Sequence, residues 1–100
     1  MLLPLLCFFL LPAGCSRIPE GNPADGERWY KLYRCNGCHG DNGAGGRGPV
    51  IAGTALTYNR FIHKLRSPNS AIMPAFEESR LPDKDAGEIY LWLRQQKKQE

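Results

Sequence analysis

Apolar and small residues recur at helical spacing in the segment that begins near Asn22. Four of them occupy positions i, i+3, i+4 and i+7 and therefore share one helix face: Gly26, Trp29, Tyr30 and Tyr33. Asn22 is a favourable N-cap residue, and the Pro and Asp that follow it suit the first turn of a helix. The pattern predicts a first helix from Pro23 to about Arg34.

Two further helices are predicted in the second half of the chain. Residues 56–66 carry an apolar face formed by Phe61, Ile62 and Leu65. The last helix is expected to start near residues 81–85, where a Pro and two acids suit a first turn. Four residues form its apolar stripe: Ala86, Ile89, Tyr90 and Leu93. Because no run alternates between polar and apolar residues, we predict an all-α fold with three main helices.

Two segments between these helices are predicted to be irregular. Residues 37–53 contain seven glycines, a density that opposes any regular element, so the whole segment is predicted to be loop. A loop of that length in a small domain is uncommon unless it is functional or wraps something. Residues 71–76 are mostly apolar with Pro74 in their middle, which predicts an extended or turn-like segment.

The N-terminal fourteen residues are largely apolar and carry no charge. They are too few to span a bilayer, which needs about 20 residues, but they suit the apolar region of an export signal. The sequence Leu-Pro-Ala-Gly-Cys at 11–15 resembles a bacterial lipoprotein signal, in which the Cys is lipidated and becomes the new N-terminus. We expect a signal at 1–14, lipid attachment at Cys15, a tether at 15–22 and a folded domain at 23–98. An ordinary cleaved signal and an uncleaved anchor are the alternatives.

Length and charge narrow the class of protein. One hundred residues allow one domain, and a domain this small often depends on a metal, a disulfide or a cofactor for its stability. The formal net charge is only +3, from 13 Lys and Arg against 10 Asp and Glu, and the basic residues are scattered. This distribution does not suit a nucleic-acid-binding protein.

The strongest chemical signal is a pair of cysteines followed by a histidine. Cys35 and Cys38 are separated by two residues, and His39 follows directly. Two thiols at this spacing can bond the two vinyl groups of one haem, and the adjacent imidazole can then bind the iron. The motif predicts a single haem c, held covalently by both cysteines, with His39 as one iron ligand.

Three other interpretations of this motif are possible. A redox-active Cys-x-x-Cys is usually found near a βαβ pattern, which this chain lacks. A zinc site needs four ligands, and His63 is the only other usual nitrogen or sulfur ligand in the predicted domain. A structural disulfide would leave His39 unexplained.

Met73 is the candidate for a second iron ligand. Met73 lies 34 residues after His39 and directly precedes Pro74, in a stretch too short and broken to form a core of its own. A thioether there suits an iron ligand. His63 is the rival, although it shares a predicted helix face with polar residues, and an open iron that binds small ligands is the third alternative.

These segments together resemble the class I c-type cytochromes of the short bacterial monohaem kind. The resemblance covers about residues 23–95. Its matching pieces are Gly26-x-x-Trp29-Tyr30, Cys35-Asn36-Gly37-Cys38-His39-Gly40, Gly48-Pro49, Met73-Pro74-Ala75-Phe76 and Leu81-x-Asp83-x-Asp85 leading to Ile89-x-x-Trp92-Leu93.

The resemblance implies an architecture and a set of roles. The first and last helices would cross, with long loops wrapped around the haem, and the Pro49 carbonyl would accept a hydrogen bond from His39. Five residues would line the haem pocket: Ile51, Phe61, Leu65, Ile72 and Phe76.

The expected function is electron transfer without substrate conversion. With His39 and Met73 both on the iron, no position is open for a substrate. We expect a monomer on the periplasmic side of a bacterial membrane, lipid-anchored to the inner or outer membrane, with transient redox protein donors and acceptors. The alternatives are a fixed haem subunit of a larger oxidoreductase complex, and a haem enzyme or sensor with a labile sixth ligand for peroxide, NO or CO.

Overall fold

The fold is that of a computed structural model, in which residues 18–97 are described. Four helices follow one another in these residues: α1 at Pro23–Leu32, α2 at Asn36–His39, α3 at Tyr58–Arg66 and α4 at Asp83–Gln95. No residue from 18 to 97 lies in a β-strand, so the prediction of an all-α fold is confirmed. The three predicted helices are present: α1 ends two residues earlier than predicted, α3 begins two residues later, and α4 begins within the predicted range of 81–85.

Side chains and turns at the helix ends explain these bounds. The Asn22 side chain accepts a hydrogen bond of 2.9 Å from the Ala24 N–H, as an N-cap residue should. At the other end of α1, Arg34 has a φ of 63°, in the left-handed region that rarely suits a residue other than Gly. The Cys35 N–H donates to the Tyr30 carbonyl across this turn, so α1 ends before Arg34.

The short helix α2 corrects one prediction. Residues 37–39 were predicted to be loop because of the glycine content, but they are helical. The His39 N–H donates to the Cys35 carbonyl at 3.0 Å, and the Gly40 N–H donates to the Asn36 carbonyl at 3.1 Å. Only one glycine, Gly37, lies within α2, and the hydrogen bonds of this turn offset the cost of placing it in a helix.

Helix α1 packs closely on α4. Gly26 is buried at this contact, and a Cβ atom there would collide with the backbone carbonyl of Glu88. One turn further along α1, the ring centroids of Tyr30 and Trp92 are 4.9 Å apart. The absence of a side chain at Gly26 therefore lets the two backbones touch, and aromatic packing continues the contact.

The remaining core fills the space between α3, α4 and the loop that joins them. Phe61 packs on Tyr90, with ring centroids 5.1 Å apart. Arg66, at the end of α3, donates to the carbonyls of Phe76 and Leu81 at 3.0 and 2.8 Å. These bonds hold the joining loop against α3 although the loop has no regular structure.

The residues before α1 contact α4. The backbone N–H of Asn22 donates to a Glu88 carboxylate oxygen at 2.9 Å, and Pro19 lies against Gly87. The predicted signal at 1–14 and lipid attachment at Cys15 lie outside the described residues. Among the described helices, none combines the length and apolar character that crossing a membrane requires.

Candidate functional site

A cavity of about 820 Å³ lies between α1, α3, α4 and the loops that connect them. Its volume is within the roughly 300–1,000 Å³ usual for ligand and cofactor sites. All ten residues predicted to bind a cofactor line it: Cys35, Cys38, His39, Pro49, Ile51, Phe61, Leu65, Ile72, Met73 and Phe76. Residues from four separate parts of the chain are thus brought to one place.

The two cysteines lie at the start and within the single turn of α2. Both carry free thiols in this structure. Burial raises the pKa of the Cys35 thiol to about 11. Thiol oxidoreductases rely on the opposite shift, because the thiolate is the reactive form.

The histidine that ends α2 is oriented by the glycine-rich loop. The Nδ1 atom of His39 lies 2.8 Å from the Pro49 carbonyl oxygen. A carbonyl can only accept, so Nδ1 carries the proton and Nε2 keeps the lone pair that binds a metal. The resemblance implied this hydrogen bond, and the structure contains it.

Close backbone contacts explain why the loop after α2 is rich in glycine. The Gly48 N–H donates to the Cys38 carbonyl at 2.6 Å. A Cβ atom on Gly46 would collide with the same carbonyl. The loop can lie directly over α2 because these positions lack side chains, and this contact brings Pro49 to His39.

Met73 is presented by a short turn between α3 and α4. The Ser70 hydroxyl accepts hydrogen bonds from the N–H groups of Ile72 and Met73, at 3.0 and 3.1 Å. Beyond Met73, the Phe76 N–H donates to the Leu65 carbonyl at 2.8 Å. The segment is therefore tied to its surroundings on both sides of the thioether.

Ile72 and the rival ligand His63 are placed differently from the buried pocket residues. Ile72 borders the cavity but is 84 % exposed, whereas Phe61, Leu65 and Phe76 are buried. His63, the rival ligand, is exposed on α3 and lines a separate depression of about 330 Å³. The structure thus groups Met73, and not His63, with His39.

Sequence reasoning missed part of the cavity wall. The Tyr30 hydroxyl donates to the Gly40 carbonyl at 2.6 Å, so this residue, which was predicted only to pack between helices, also holds the end of α2. Burial raises the pKa of the Tyr30 phenol. Other cavity residues not predicted include Tyr33, Leu56, Ile89 and Leu93. Helical periodicity marked three of these four as apolar-face residues but could not show that this face also borders a cavity.

The donors at this site suit a c-type haem. Two thiols and an imidazole lie beside a wall of mostly apolar side chains, as a large apolar cofactor with a central metal requires. Within residues 18–97, no three His, Cys, Asp or Glu side chains are placed to share a metal ion by themselves.

A family model described as "Cytochrome C oxidase, cbb3-type, subunit III" matches residues 21–93.

The chain belongs to the cbb3-type cytochrome c oxidase subunit III family. Members of this family are c-type cytochromes, so the family membership implies haem c binding and electron transport. Cytochrome c domains are generally exported to the periplasmic side, and the all-helical architecture is compatible with the cytochrome c fold. No curated protein and no solved structure gives a significant match to this chain.

Proposed function

We propose that the protein is a monohaem electron carrier that converts no substrate. The observation that carries the proposal is the grouping of Cys35, Cys38, His39 and Met73 around one cavity, with His39 oriented by Pro49. Bound there, a haem supplies one-electron exchange between Fe(III) and Fe(II).

The cysteines are proposed to hold the haem covalently. Each thiol would add across one vinyl group of the haem: the S–H bond and the vinyl π bond break, one carbon–sulfur and one carbon–hydrogen bond form, and no external oxidant or reductant is needed. Cys35 precedes α2, while Cys38 and His39 lie in its single turn, so these three residues would hold the haem together from one short segment. Covalent attachment would also stabilise a domain whose own core is small.

His39 and Met73 are proposed as the two iron ligands. The hydrogen bond to Pro49 keeps the His39 ring in one orientation and raises its basicity. Methionine ligation and the apolar wall, which includes Phe61, Leu65 and Phe76, both favour the less charged ferrous state and so raise the reduction potential.

The proposed setting is the periplasmic side of a bacterial membrane. Lipid attachment at Cys15 would hold the protein at the inner or outer membrane, and the protein would act as a monomer. Redox encounters use small, short-lived interfaces, which suits transient donor and acceptor proteins.

The family description favours a second role, as a fixed haem subunit of a larger oxidoreductase complex. Stable co-purification with catalytic subunits would support that role over a free carrier.

Haem content and ligation can be tested on the purified holoprotein. We expect a pyridine haemochrome spectrum equivalent to one haem c per chain, and colour that stays with the polypeptide after acid–acetone extraction. Haem that is extracted into acetone would rule out attachment through Cys35 and Cys38.

Ligand identity requires matched variants. Met73→Ala should lose the weak far-red band that methionine ligation gives to the oxidised protein, while Ile72→Ala and His63→Ala should keep it. An unchanged Met73→Ala spectrum would refute Met73 as a ligand. Rapid and complete CO binding by the reduced parent protein would instead indicate a haem enzyme or sensor with a labile ligand.

A further inference from the structure

The residues that directly precede α1 are fastened to α4. The Asn22 N–H donates at 2.9 Å to the carboxylate of Glu88, a residue that is only 1 % exposed. The Trp29 indole N–H and the Lys84 ammonium donate to the same carboxylate at 2.8 and 3.1 Å. One buried carboxylate therefore joins α1, α4 and residues 19–22, which we call the N-terminal segment.

Glycines on both sides let the N-terminal segment lie directly on α4. Gly21 has a φ of 150°, and a Cβ atom there would lie 2.6 Å from the Glu88 Cγ atom. A Cβ atom on Gly87 would lie 2.9 Å from the Cβ atom of Pro19. Neither contact leaves room for a side chain, so the segment is held at two consecutive positions of α4.

This contact shortens the connection between the folded domain and the proposed lipid at Cys15. Cys15 and Pro19 are four residues apart, so the chain between them spans at most about 14 Å in any conformation. If the chain were free as far as Pro23, the span would reach about 29 Å. A domain of about 80 residues is about 30 Å across. The shorter connection therefore keeps its point of attachment on the half of the domain nearer the lipid, whereas the longer one would let the domain turn over.

The N-terminal segment and the large cavity lie on different sides of α4. Ile89 and Leu93 line the cavity. At about 100° per residue, they point about 160° and 120° away from Gly87, against which Pro19 lies. On α1, the segment joins the first turn, whereas the cavity residue Tyr33 caps the last. The point of attachment is thus remote from the cavity.

We propose that the N-terminal segment fixes the orientation of the domain on the membrane. The face of α4 around Gly87 lies towards the lipid surface, and the cavity opens away from it. The inference rests on the lipid attachment at Cys15 in the proposed function, and adds that the connection is too short for the domain to turn over. Ile18, the described residue nearest to Cys15, is 60 % exposed, and burial of its apolar side chain at the lipid surface would favour the same orientation.

The orientation can be measured on the lipidated holoprotein in phosphatidylcholine multilayers stacked on a flat support. The electron paramagnetic resonance spectrum of a ferric haem depends on the direction of the haem in the magnetic field. With a fixed orientation, the line amplitudes should change severalfold as the support is rotated. A spectrum that is the same at every angle would overturn the proposal.

A lipid with a photoreactive headgroup identifies the face that lies towards the membrane. After irradiation of vesicles that contain this lipid, mass spectrometry should find it attached mainly to residues 18–22 and 83–88. The turn at 70–73, which borders the cavity, should carry little of it. The reverse distribution would overturn the proposal.

Two variants should release the domain in different ways. An insertion of about ten Gly and Ser residues between Ser16 and Arg17 lengthens the connection to about 50 Å and should abolish the angular dependence. Gly21→Ala should weaken it by about twofold or more, because the methyl group displaces Glu88 and the positive φ opposes a side chain.

Gly45→Ala is the matched control for Gly21→Ala. Gly45 also has a positive φ, but a Cβ atom there meets no atom within 4 Å, so this variant should keep the angular dependence of the parent. An undiminished angular dependence in the insertion variant would show that the short connection does not orient the domain, and would overturn the proposal.

Intact mass separates the possible failures. An unmodified Cys15 in the mature protein would refute the lipid anchor, and the orientation with it, while leaving electron transfer intact. A lipidated protein whose haem signal does not change with angle would refute the orientation alone. A protein without covalent haem would refute the proposed electron carrier itself.

Discussion

The Nδ1 atom of His39 and the carbonyl oxygen of Pro49 are 2.8 Å apart, although ten residues separate them in the chain. The contact exists because the glycine-rich loop lies on α2, where the Gly48 N–H donates to the Cys38 carbonyl. Its chemical result is an imidazole with one defined tautomer and a free Nε2. Disturbing the loop should therefore change the iron site without removing any donor.

Gly48→Ala tests this connection. A Cβ atom at Gly48 would lie 3.3 Å from His39 Nδ1 and 3.1 Å from the Cys38 carbonyl, so the ring must shift and its bond to Pro49 must weaken. A less basic imidazole stabilises Fe(III) less, and we expect the reduction potential to rise by up to about 60 mV, the one-electron equivalent of a tenfold change. Potentiometric titration measures the reduction potential.

Gly37→Ala is the control, since a Cβ there meets no atom within 4 Å. Equal shifts of the reduction potential in both variants would contradict the prediction.

Gly26→Ala should be strongly destabilising. The added methyl group collides with the backbone carbonyl of Glu88, which cannot move aside as a flexible side chain would. Helices α1 and α4 must separate, and we expect the free energy of unfolding to fall by about 3 kcal/mol. Denaturant unfolding followed by circular dichroism provides the measurement. Gly37→Ala is again the matched helical control and should be neutral or stabilising by about 1 kcal/mol. A neutral Gly26→Ala would mean that the helices do not touch at this point.

Ser70→Ala should loosen the segment that carries Met73. The variant removes the acceptor for two backbone N–H groups, at about 1 kcal/mol for each hydrogen bond. If Met73 binds the iron, an external ligand should displace it more easily, and imidazole should bind the oxidised protein about five- to tenfold more tightly. Spectroscopic titration with imidazole measures this affinity. Ser67→Ala, outside the turn at 70–73, should match the parent; a similar gain in both variants would show that the turn does not position the ligand.

Glu88 predicts how stability depends on pH. Burial alone would raise the pKa of this carboxyl, but hydrogen bonds from the Asn22 N–H, the Trp29 indole and Lys84 hold it below its usual range. Because the pKa of Glu88 is lower in the folded protein than in the unfolded chain, the ionised carboxylate stabilises the folded state. This stabilisation is fully present above the unfolded-state pKa of about 4.3 and is lost as the pH falls through the folded-state pKa.

Glu88→Gln should therefore be about 2 kcal/mol less stable than the parent at pH 7, and the gap should narrow below about pH 4. Chemical denaturation at several pH values provides the test. Glu78→Gln, which changes an exposed loop carboxyl, should follow the parent throughout. If the gap stays constant down to pH 3, the charge of Glu88 is not what joins the first and last helices.

The sequence was most informative where structure depends on near neighbours. The three main helices were predicted because caps, prolines and apolar spacing act within a turn or two of the chain, and Asn22 behaves as predicted. Glycine content misled the prediction at residues 37–39, since a single glycine can be part of a hydrogen-bonded turn. The family resemblance, and not the spacing, supplied Pro49 as the partner of His39.

Residue order alone thus determined the helices, the thiol–thiol–imidazole motif and the candidate thioether, because each is a local pattern or a fixed spacing. Only the tertiary structure decided that Met73, rather than His63, lines the same cavity as His39, and that Tyr30 secures the end of α2. It also decided that four basic side chains from separate parts of the chain line this cavity. These relations join residues far apart in the chain, and they arise only when α1, α3 and α4 pack against one another.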